Sequence, residues 1–206
     1  MIESNKLIII GTGGHAKSIL DVVELQNKFD VVGFVDNNLE VGSKIFSYNV
    51  LGKDEELSRL IKTSDNALIA VGQIQNPDIR NDLYIMLKDL DFKLPSVISP
   101  RAHVSESAFI DEGTVVMHGA IVNAGAKIGA NCIINSGAII EHDAEIGKNC
   151  HISTGVIING SARVGNSSFI GSGSVIRNNI SIGERCIVGM GSKVLKDMVD
   201  NKIHKN

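Results

Sequence analysis

The residues best suited to catalysis form the segment Ile140-Glu141-His142-Asp143, and a second histidine, His151, follows nine positions after His142. A neutral imidazole near pH 7 is the side chain best matched to accept the proton that an attacking amine or hydroxyl group sheds. Asp143 stands beside His142, where a carboxylate can orient the ring and stabilise the imidazolium that forms. The segment therefore predicts a general base, His142, supported by Asp143.

A glycine-rich segment near the start of the chain predicts a phosphate site. Gly11, Gly13 and Ala16 fit the G-x-G-x-x-G/A spacing, and Asp36 follows at the distance expected of an acid that binds a ribose hydroxyl. Glycines let a phosphate approach the backbone, and the helix N-terminus behind them offers N–H groups. A nucleotide diphosphate suits this site, and the alternative is a tight strand-to-helix turn without a ligand. A nicotinamide dinucleotide is disfavoured because only half of a doubly wound domain precedes the repeats.

Short aliphatic runs predict the elements that position this segment. Strands are expected at Lys6–Ile10, Val31–Val35 and Ala67–Val71, and helices at Ser18–Leu25 and Glu55–Ile61. Asn76 and Pro77 predict the N-cap and the first position of a further helix that runs to about Leu90. Residues 1–97 are therefore predicted to form a small Rossmann-like βαβαβ domain, in which ligands bind beyond the carboxyl ends of the strands.

The rest of the chain repeats with a period of six. Every sixth residue from Val104 to Val194 is Ile or Val, and a small residue usually stands four places later. β-Branched residues dominate and Gly or Asn crowds the intervening positions, which favours short strands joined by tight turns over helix. A coil this small buries its apolar face only by stacking on its neighbours. Residues 98–206 are therefore predicted to form a parallel β-helix of hexapeptide repeats.

Composition argues against several classes of protein. Of the 206 residues, 43% are hydrophobic and 21% are charged, which is enough apolar material for a packed core. The net charge of −3 gives no excess of basic residues of the kind that binds nucleic acid. No apolar run approaches the roughly 20 residues that cross a bilayer. The first residues lack the pattern of a signal peptide, so a cytoplasmic location is expected. Cys132, Cys150 and Cys186 occupy the small-residue position of the repeat, where packing explains them better than a disulfide or a metal.

These segments together resemble the NeuD/PglD family of sugar acetyltransferases. The resemblance rests on the Gly13-Gly14-His15 turn, the Gly33-Phe34-Val35-Asp36 strand end, and Ile140-Glu141-His142-Asp143 with His151, and it covers nearly the whole chain. That family joins a nucleotide-sugar-binding α/β domain to a left-handed β-helix, forms homotrimers, and takes acetyl groups from acetyl-CoA in a cleft between neighbouring helices. The resemblance implies left-handed coils, a homotrimer, and acetyl-CoA as co-substrate without a metal.

The resemblance also implies an activity and roles for individual residues. The activity is direct N-acetylation of an amino sugar linked to a nucleotide, with UDP the expected nucleotide, for bacterial surface glycan synthesis. His142 is the implied base and Asp143 its partner. The implied contacts of acetyl-CoA are His151, Ser172 and Met190. The implied contacts of the sugar nucleotide are Gly13, Gly14, His15, Asp36, Asn37, Gly72 and Asp78.

Two features depart from the family pattern. Asn37 stands where some relatives carry a second acid, which leaves the base of the nucleotide open. The valine-rich tail that ends in Gly-x-Pro-Ala is absent after Val194, which puts part of the coenzyme site in question.

Three alternatives remain open from the sequence. O-acetylation of sialic acid would use the same fold and base but would need no nucleotide site. A zinc site between subunits would draw on His118, His142 and His151, although their spacings of 24 and 9 differ from close-set metal ligands. A catalytically idle trimeric scaffold is the third alternative. Without such a site, His103, His118 and His204 are expected to be solvated surface residues.

Overall fold

A computed structural model of the protein describes residues 5–74 and 76–205. The chain divides into two compact units, the first formed by Met1–Gly72 with Asp78–Pro95 and the second by Gln73–Pro77 with Ser96–Asn206. The short segment Gln73–Pro77 thus groups with the second unit, although its neighbours in sequence belong to the first. Within the described ranges, no helix has both the length and the apolar character needed to cross a membrane.

The first unit is built around a five-stranded sheet. Its elements are β1 (Lys6–Ile10), α1 (Gly14–Gln26), β2 (Asp30–Val35), β3 (Lys44–Ile45), β4 (Tyr48–Gly52), a 3-10 turn (Asp54–Glu56), α2 (Leu57–Leu60), β5 (Ala67–Ile69) and α3 (Asp78–Asp89). The strand order is β3-β4-β2-β1-β5, and every pair is parallel except β3 with β4. This arrangement confirms the predicted Rossmann-like domain.

The hairpin of β3 and β4 is the main addition to the predicted strands. β4 pairs in parallel with β2 and so extends the sheet beyond the three strands that the sequence indicates. The predicted helix over 55–61 is split between the 3-10 turn and the single turn of α2, and α1 begins four residues before the predicted Ser18. Pro77 precedes α3 instead of starting it. The first turn of α1 adds only Ala16 to the buried face of the helix, so it contributes too few apolar residues to show a helical period in the sequence.

The centre of the sheet explains the aliphatic run at the start of the chain. Leu7, Ile8, Ile9 and Ile10 are all buried, as expected for a parallel strand covered on both faces. Ile8 and Ile10 lie in one apolar cluster with residues of α2, β5 and α3. The carboxyl ends of β1, β2 and β5 are thereby fixed beside one another.

The second unit is a parallel β-helix with three sheets of two-residue strands. The first sheet contains β6 (Val97–Ile98), β9 (Val115–Val116), β12 (Ile133–Ile134), β15 (His151–Ile152), β18 (Phe169–Ile170), β21 (Ile187–Val188) and β23 (Ile203–His204). The second sheet contains β7 (His103–Val104), β10 (Ile121–Val122), β13 (Ile139–Ile140), β16 (Ile157–Ile158), β19 (Val175–Ile176) and β22 (Lys193–Val194). The third sheet contains β8 (Phe109–Ile110), β11 (Lys127–Ile128), β14 (Glu145–Ile146), β17 (Arg163–Val164) and β20 (Ser181–Ile182).

The six-residue period maps directly onto this architecture. Each Ile or Val of the series is the second residue of a strand, and each lies in the apolar core of the β-helix or packs against it. Strand partners are 18 residues apart, as Ile140 pairs with Val122 and Ile158, so each coil visits the three sheets in turn. Each such buried side chain contributes about 1.5–3 kcal/mol through apolar burial.

The turns between strands explain the abundance of Gly and Asn. From residue 113 to residue 191, every sixth residue lies in a turn and has a positive φ, for example Gly137 at 67°, Asp143 at 58° and Asn149 at 56°. Gly, Asn and Asp tolerate this left-handed conformation better than other residues. The small-residue positions face the core, and the three cysteines there are buried free thiols. Burial raises the pKa of the Cys150 thiol well above its usual value, which keeps it protonated and inert.

Candidate functional site

The turn between β1 and α1 contains glycines of two kinds. Gly11 has a φ of 101°, and a Cβ there would lie 2.8 Å from Val71 Cγ2, so the fold itself requires glycine. At Gly13 and Gly14 a Cβ would meet nothing within 4 Å. Gly13 is the N-cap of α1 and supplies no side-chain cap. The space over these two glycines, at a helix N-terminus, suits a phosphate.

Asp36 lies at the end of β2 and is held by the same turn. Thr12 donates to Asp36 Oδ2 from its backbone N–H at 3.0 Å and from its hydroxyl at 2.6 Å, and the Asn38 N–H donates to Oδ1 at 2.8 Å. Burial raises the pKa of Asp36, but the hydrogen bonds from Thr12 and Asn38 outweigh it and leave the pKa below its usual value. Asp36 is therefore an ionised, fixed carboxylate at neutral pH.

The Asn37 side chain is paired with Asp54 at the start of the 3-10 turn. Asn37 Nδ2 donates to Asp54 Oδ2 at 2.6 Å, and the Asp54 backbone N–H donates to Asn37 Oδ1 at 3.0 Å. Both ends of the Asn37 amide are thus engaged. In this arrangement Asn37 supports Asp54, which the sequence analysis did not single out.

A pocket of about 400 Å³ opens at the carboxyl ends of β1, β2 and β5. It is lined by Ile10, Gly11, Val35, Asp36, Asn37, Asn38, Asp54, Val71, Ile79, Asp82, Leu83 and Met86. Ile79 and Met86 of α3 give it an apolar wall, and Asp36, Asp54 and Asp82 give it carboxylates. A concave site with an apolar wall and a few polar groups is typical of a small-molecule site, and this one has room for a nucleoside.

His15, Gly72 and Asp78 lie near this sheet edge. A Cβ on Gly72 would lie 3.7 Å from His15 Cβ, and Asp78 is the first residue of α3. Arg80, which the sequence analysis missed, is 1% exposed and donates from Nη1 to the carbonyls of Ile69 at 2.7 Å and Val71 at 3.0 Å. Through these hydrogen bonds, Arg80 links the start of α3 to the end of β5. A helical arginine is usually solvated, so the sequence carries no signal for this burial.

His142 and Asp143 form the turn between β13 and β14, at the corner between the second and third sheets. His142 Nδ1 lies 3.0 Å from Asp143 Oδ2, and the two side chains are 65% and 66% exposed. An ionised carboxylate only accepts hydrogen bonds, so Nδ1 carries the hydrogen of the neutral ring and Nε2 carries the lone pair. This is the tautomer that a general base acting through Nε2 requires.

Two glycines on the neighbouring coils give this pair its space. A Cβ on Gly160 would lie 2.6 Å from His142 Nε2, and a Cβ on Gly125 would lie 2.5 Å from Asp143 Oδ1. The positive φ of Asp143, 58°, belongs to the same turn geometry. Any larger residue at Gly160 would move the imidazole ring, because that ring lies directly over it.

His151 is the first residue of β15 in the first sheet and is only 7% exposed. Its Nδ1 is hydrogen-bonded to the backbone carbonyl of Gln73, and its Nε2 lies 3.2 Å from Asn135 Nδ2. The ring also packs edge-on against Phe169, with centroids 5.2 Å apart. Gln73 and Asn135 are contacts that the sequence analysis missed, because neither spacing nor residue type indicates them.

Ser172 and Met190 lie 18 residues apart, at the corner between the first and second sheets. Ser172 Oγ is 2.8 Å from Ser153 Oγ, and Met190 is 74% exposed. Both residues stand in turns that follow strands of the sheet containing His151. The three residues expected to contact acetyl-CoA therefore share one side of the β-helix.

His142 is not on that side. The turn that carries it joins the second and third sheets, so it lies at the corner opposite the first sheet, which carries His151. Because each coil has three sides, the two histidines of one chain point away from each other. A single copy of the chain does not bring them together.

The remaining histidines bear on the zinc alternative. His118 was expected to be solvated, but it is half-buried, and its Nδ1 lies 2.6 Å from Ser99 Oγ. His204 is also half-buried, whereas His103 is exposed. Across residues 5–74 and 76–205, no cluster of three or more His, Cys, Asp or Glu side chains is arranged to hold a metal ion. His118, His142 and His151 thus form no such cluster.

Comparison with known proteins agrees with both units. Residues 6–87 match the family model of the PglD N-terminal domain, and residues 125–160 and 161–196 match that of the bacterial transferase hexapeptide repeat. The chain matches none of the curated proteins with which it was compared.

Three solved structures are similar over nearly the whole chain. PerB from Caulobacter crescentus in complex with CoA and GDP-perosamine is 31% identical, with 98% of this chain and 94% of that chain covered and a TM-score of 0.89. The acetyltransferase domain of PglB from Neisseria gonorrhoeae with acetyl coenzyme A is 30% identical, with 97% and 95% covered and a TM-score of 0.89. WeeI from Acinetobacter baumannii is 25% identical, with 96% and 94% covered and a TM-score of 0.83.

These similarities, with the Rossmann-like first unit and the repeats, place the chain in a class of hexapeptide-repeat acyltransferases. Within that class it belongs to the NeuD/PglD-like family of sugar acetyltransferases. Its second unit is accordingly a left-handed parallel β-helix.

Proposed function

We propose that the protein transfers the acetyl group of acetyl-CoA to the amino group of a nucleotide-linked sugar, with His142 as general base. The observation that carries the proposal is the His142–Asp143 pair, which leaves the Nε2 lone pair of His142 exposed on the β-helix. The amine nitrogen attacks the thioester carbon, the carbon–sulfur bond breaks, and His142 Nε2 takes the proton released from nitrogen and returns a proton to the departing sulfur. The products are the amide and coenzyme A, without a covalent enzyme intermediate.

The pocket of the first unit supports a nucleotide-linked sugar as the acceptor, with the nucleotide bound in this pocket. The open space over Gly13 and Gly14 suits the diphosphate, and the fixed carboxylate of Asp36 suits a ribose hydroxyl. His15, Gly72 and Asp78 complete the proposed contacts, and Asn37 takes part through Asp54, whose carboxylate it holds. UDP is the nucleotide expected from the sequence, and GDP is the second candidate because PerB was solved with GDP-perosamine. The product would serve bacterial surface glycan synthesis.

The opposite placement of His142 and His151 supports an active site shared between copies of the chain. His142 of one protomer would face the side of a partner on which acetyl-CoA contacts His151, Ser172 and Met190. A stripe of half-buried aliphatic side chains on the second sheet, Ile121, Ile139, Ile157 and Val175, gives a flat apolar face for packing. A homotrimer with cyclic symmetry would use this face three times and form three equivalent sites.

Coenzyme A thiol release by the purified protein tests the proposal. Acetyl-CoA is offered with a UDP-linked amino sugar, a GDP-linked amino sugar and free sialic acid in separate reactions, and the products are weighed by mass spectrometry. Acetylation of a nucleotide-linked amino sugar is the expected result, and the two nucleotides are ranked by kcat/KM. Acetylation of sialic acid alone would replace N-acetylation with O-acetylation. No release of coenzyme A in any of the three reactions would overturn the proposal.

A further inference from the structure

The segment Gln73–Pro77 contacts the β-helix through Gln73. Gln73 is 3% exposed, and its side-chain Nε2 donates to the backbone carbonyl of Asn149 at 2.9 Å. Its own backbone carbonyl accepts a hydrogen bond from His151 Nδ1. Gln73 therefore spans the corner before β15 and reaches the imidazole ring of His151 from one side.

Asn135 contacts the opposite edge of the same ring. Asn135 Oδ1 accepts a hydrogen bond from the Ser136 N–H at 2.8 Å, which fixes the orientation of the amide. Asn135 Nδ2 therefore faces His151 Nε2, at 3.2 Å. An amide nitrogen only donates, so Nε2 must accept.

The two contacts select the same tautomer independently. A backbone carbonyl only accepts, so the hydrogen bond to Gln73 requires a hydrogen on Nδ1. The Asn135 amide requires a lone pair on Nε2. With the hydrogen on Nε2 instead, the Nδ1 lone pair would face the lone pairs of the Gln73 carbonyl oxygen. The Nε2 hydrogen would face the hydrogens of Asn135 Nδ2.

We propose that Gln73 is a positioning residue that holds His151 in the Nδ1–H tautomer, in which the Nε2 lone pair of His151 accepts from Asn135 on the side of the β-helix proposed for acetyl-CoA. This inference rests on the proposed function. Both ring nitrogens of His151 are then engaged within the chain, the Nδ1–H by Gln73 and the Nε2 lone pair by Asn135. His151 therefore has no hydrogen to donate to the thioester carbonyl of acetyl-CoA, so it shapes the site through its position and does not polarise the carbonyl that is attacked.

A second observation separates this role from simple packing. Gln73 Oε1 is buried and, among the described residues, has no hydrogen-bond partner. A buried acceptor without a partner disfavours the folded state. Gln73→Met, which keeps the volume and removes both the Nε2 anchor and this acceptor, is therefore expected to fold at least as readily. Gln26 of α1 also has a buried Oε1 without a partner in the described part of the chain, so Gln26→Met is a matched control.

The test reads the tautomer directly, by ¹⁵N NMR of histidine-labelled protein without any substrate, with the His151 signal assigned from His151→Gln. Wild type and Gln26→Met should show His151 with hydrogen on Nδ1, and Gln73→Met should show a mixture of tautomers. An Nε2–H ring in wild type would overturn the inference, as would an unchanged tautomer in Gln73→Met. This measurement does not depend on activity, so it stands apart from any failure of the proposed function.

Kinetics supply the second readout. In Gln73→Met the KM for acetyl-CoA should rise about 10-fold, because a His151 ring that is no longer held distorts the acetyl-CoA site, while kcat and its pH profile change little because His142 is untouched. A fall in kcat at unchanged KM would contradict the positioning role, since it would mean that Gln73 and His151 act on the transition state.

Discussion

At the scale of single residues, the carboxylate of Asp143 decides which nitrogen of His142 is available for chemistry. The 3.0 Å contact places the hydrogen on Nδ1 and leaves Nε2 as the basic atom. The two side chains are 65% and 66% exposed in one chain, so in the proposed function bound substrates and a partner copy would exclude water from the pair. The contact itself is present before any substrate binds.

Removal of the base should abolish most of the activity. His142→Ala is expected to lower kcat by roughly 10²–10⁴, with little change in the KM for acetyl-CoA. Asp143→Asn keeps a residue that tolerates the positive φ at this position and should lower kcat by about 10-fold or more, because an amide can stabilise the wrong tautomer. Steady-state kinetics on both variants would check this, and a fully active His142→Ala protein would remove His142 from the mechanism.

Gly160 offers a subtler test of the same pair. Its φ lies outside the left-handed region, so alanine is compatible with the backbone, but the new methyl group would displace the His142 ring. Gly160→Ala should keep the melting temperature close to that of wild type and lower kcat by about 10-fold. Gly155→Ala, a glycine with φ of 65° and open space around it, is the comparison. It should lose stability and keep its rate per folded molecule, and equal rates in the two variants would argue against the role of Gly160.

Asp36 provides a prediction about pH. Its pKa lies below the usual 3.8, so its hydrogen bonds stabilise the fold fully above that pH, and the stabilisation is lost as the pH falls through the lowered value. Asp36→Asn should therefore have a lower free energy of unfolding than wild type at pH 7, and the difference should shrink below pH 3.8. Urea denaturation at both pH values measures it. If the difference in the free energy of unfolding persists at acid pH, the charge on Asp36 is not the cause of that difference.

At the scale of elements, the turn between β1 and α1 contains glycines that serve different purposes. The fold requires Gly11, whereas Gly14 is expected to matter for ligand binding. Gly14 is the first residue of α1 and has open space at its Cβ position. Gly14→Ala should therefore leave the fold unchanged or stabilise it by up to about 1 kcal/mol, since alanine favours helix. The added methyl group should weaken nucleotide-sugar binding by about 10-fold or more through loss of close backbone approach.

Gly11→Ala is the control for that prediction. It should destabilise the fold, because Gly11 has a φ of 101° and little space beside Val71. Thermal unfolding and calorimetric binding of the nucleotide sugar separate the two effects. Unchanged binding in Gly14→Ala would argue against a phosphate at this turn.

The same scale shows what the sequence could predict and what it could not. Every strand of the hexapeptide series follows from the position of one Ile or Val, because core packing repeats with the coil. Asp36 and His142 were found because their types and neighbours indicate chemistry. Gln73 and Arg80 act through contacts set by tertiary structure. β3 has only two residues, and β4 contains Asn49 and Gly52, which are residue types that strands disfavour. Such features depend on non-local packing, which spacing does not encode.

At the scale of the whole molecule, the proposed function makes assembly part of the chemistry, because His142 lies opposite the first sheet. One copy presents the base at one corner and the residues proposed for acetyl-CoA on the other side. A charge in the apolar stripe of the second sheet should break the assembly. Ile139→Asp and Ile157→Asp are expected to give monomers by light scattering with kcat reduced at least about 100-fold, because burying an unpaired carboxylate in an interface is strongly unfavourable. Active monomers would contradict a shared site.

The most direct measurement of the central claim is therefore acetyl transfer by mixed assemblies. His142→Ala and His151→Ala chains are co-expressed with different affinity tags, and mixed trimers are isolated. CoA release is measured with the preferred nucleotide amino sugar at acetyl-CoA concentrations well below the KM, where the loss of either histidine lowers the rate. In a cyclic trimer of either mixed composition, one of the three interfaces joins an intact His142 from one chain to an intact His151 from another, so about a third of wild-type activity should return. No recovery above the two parent variants would contradict an acetyltransferase site built between copies of this chain.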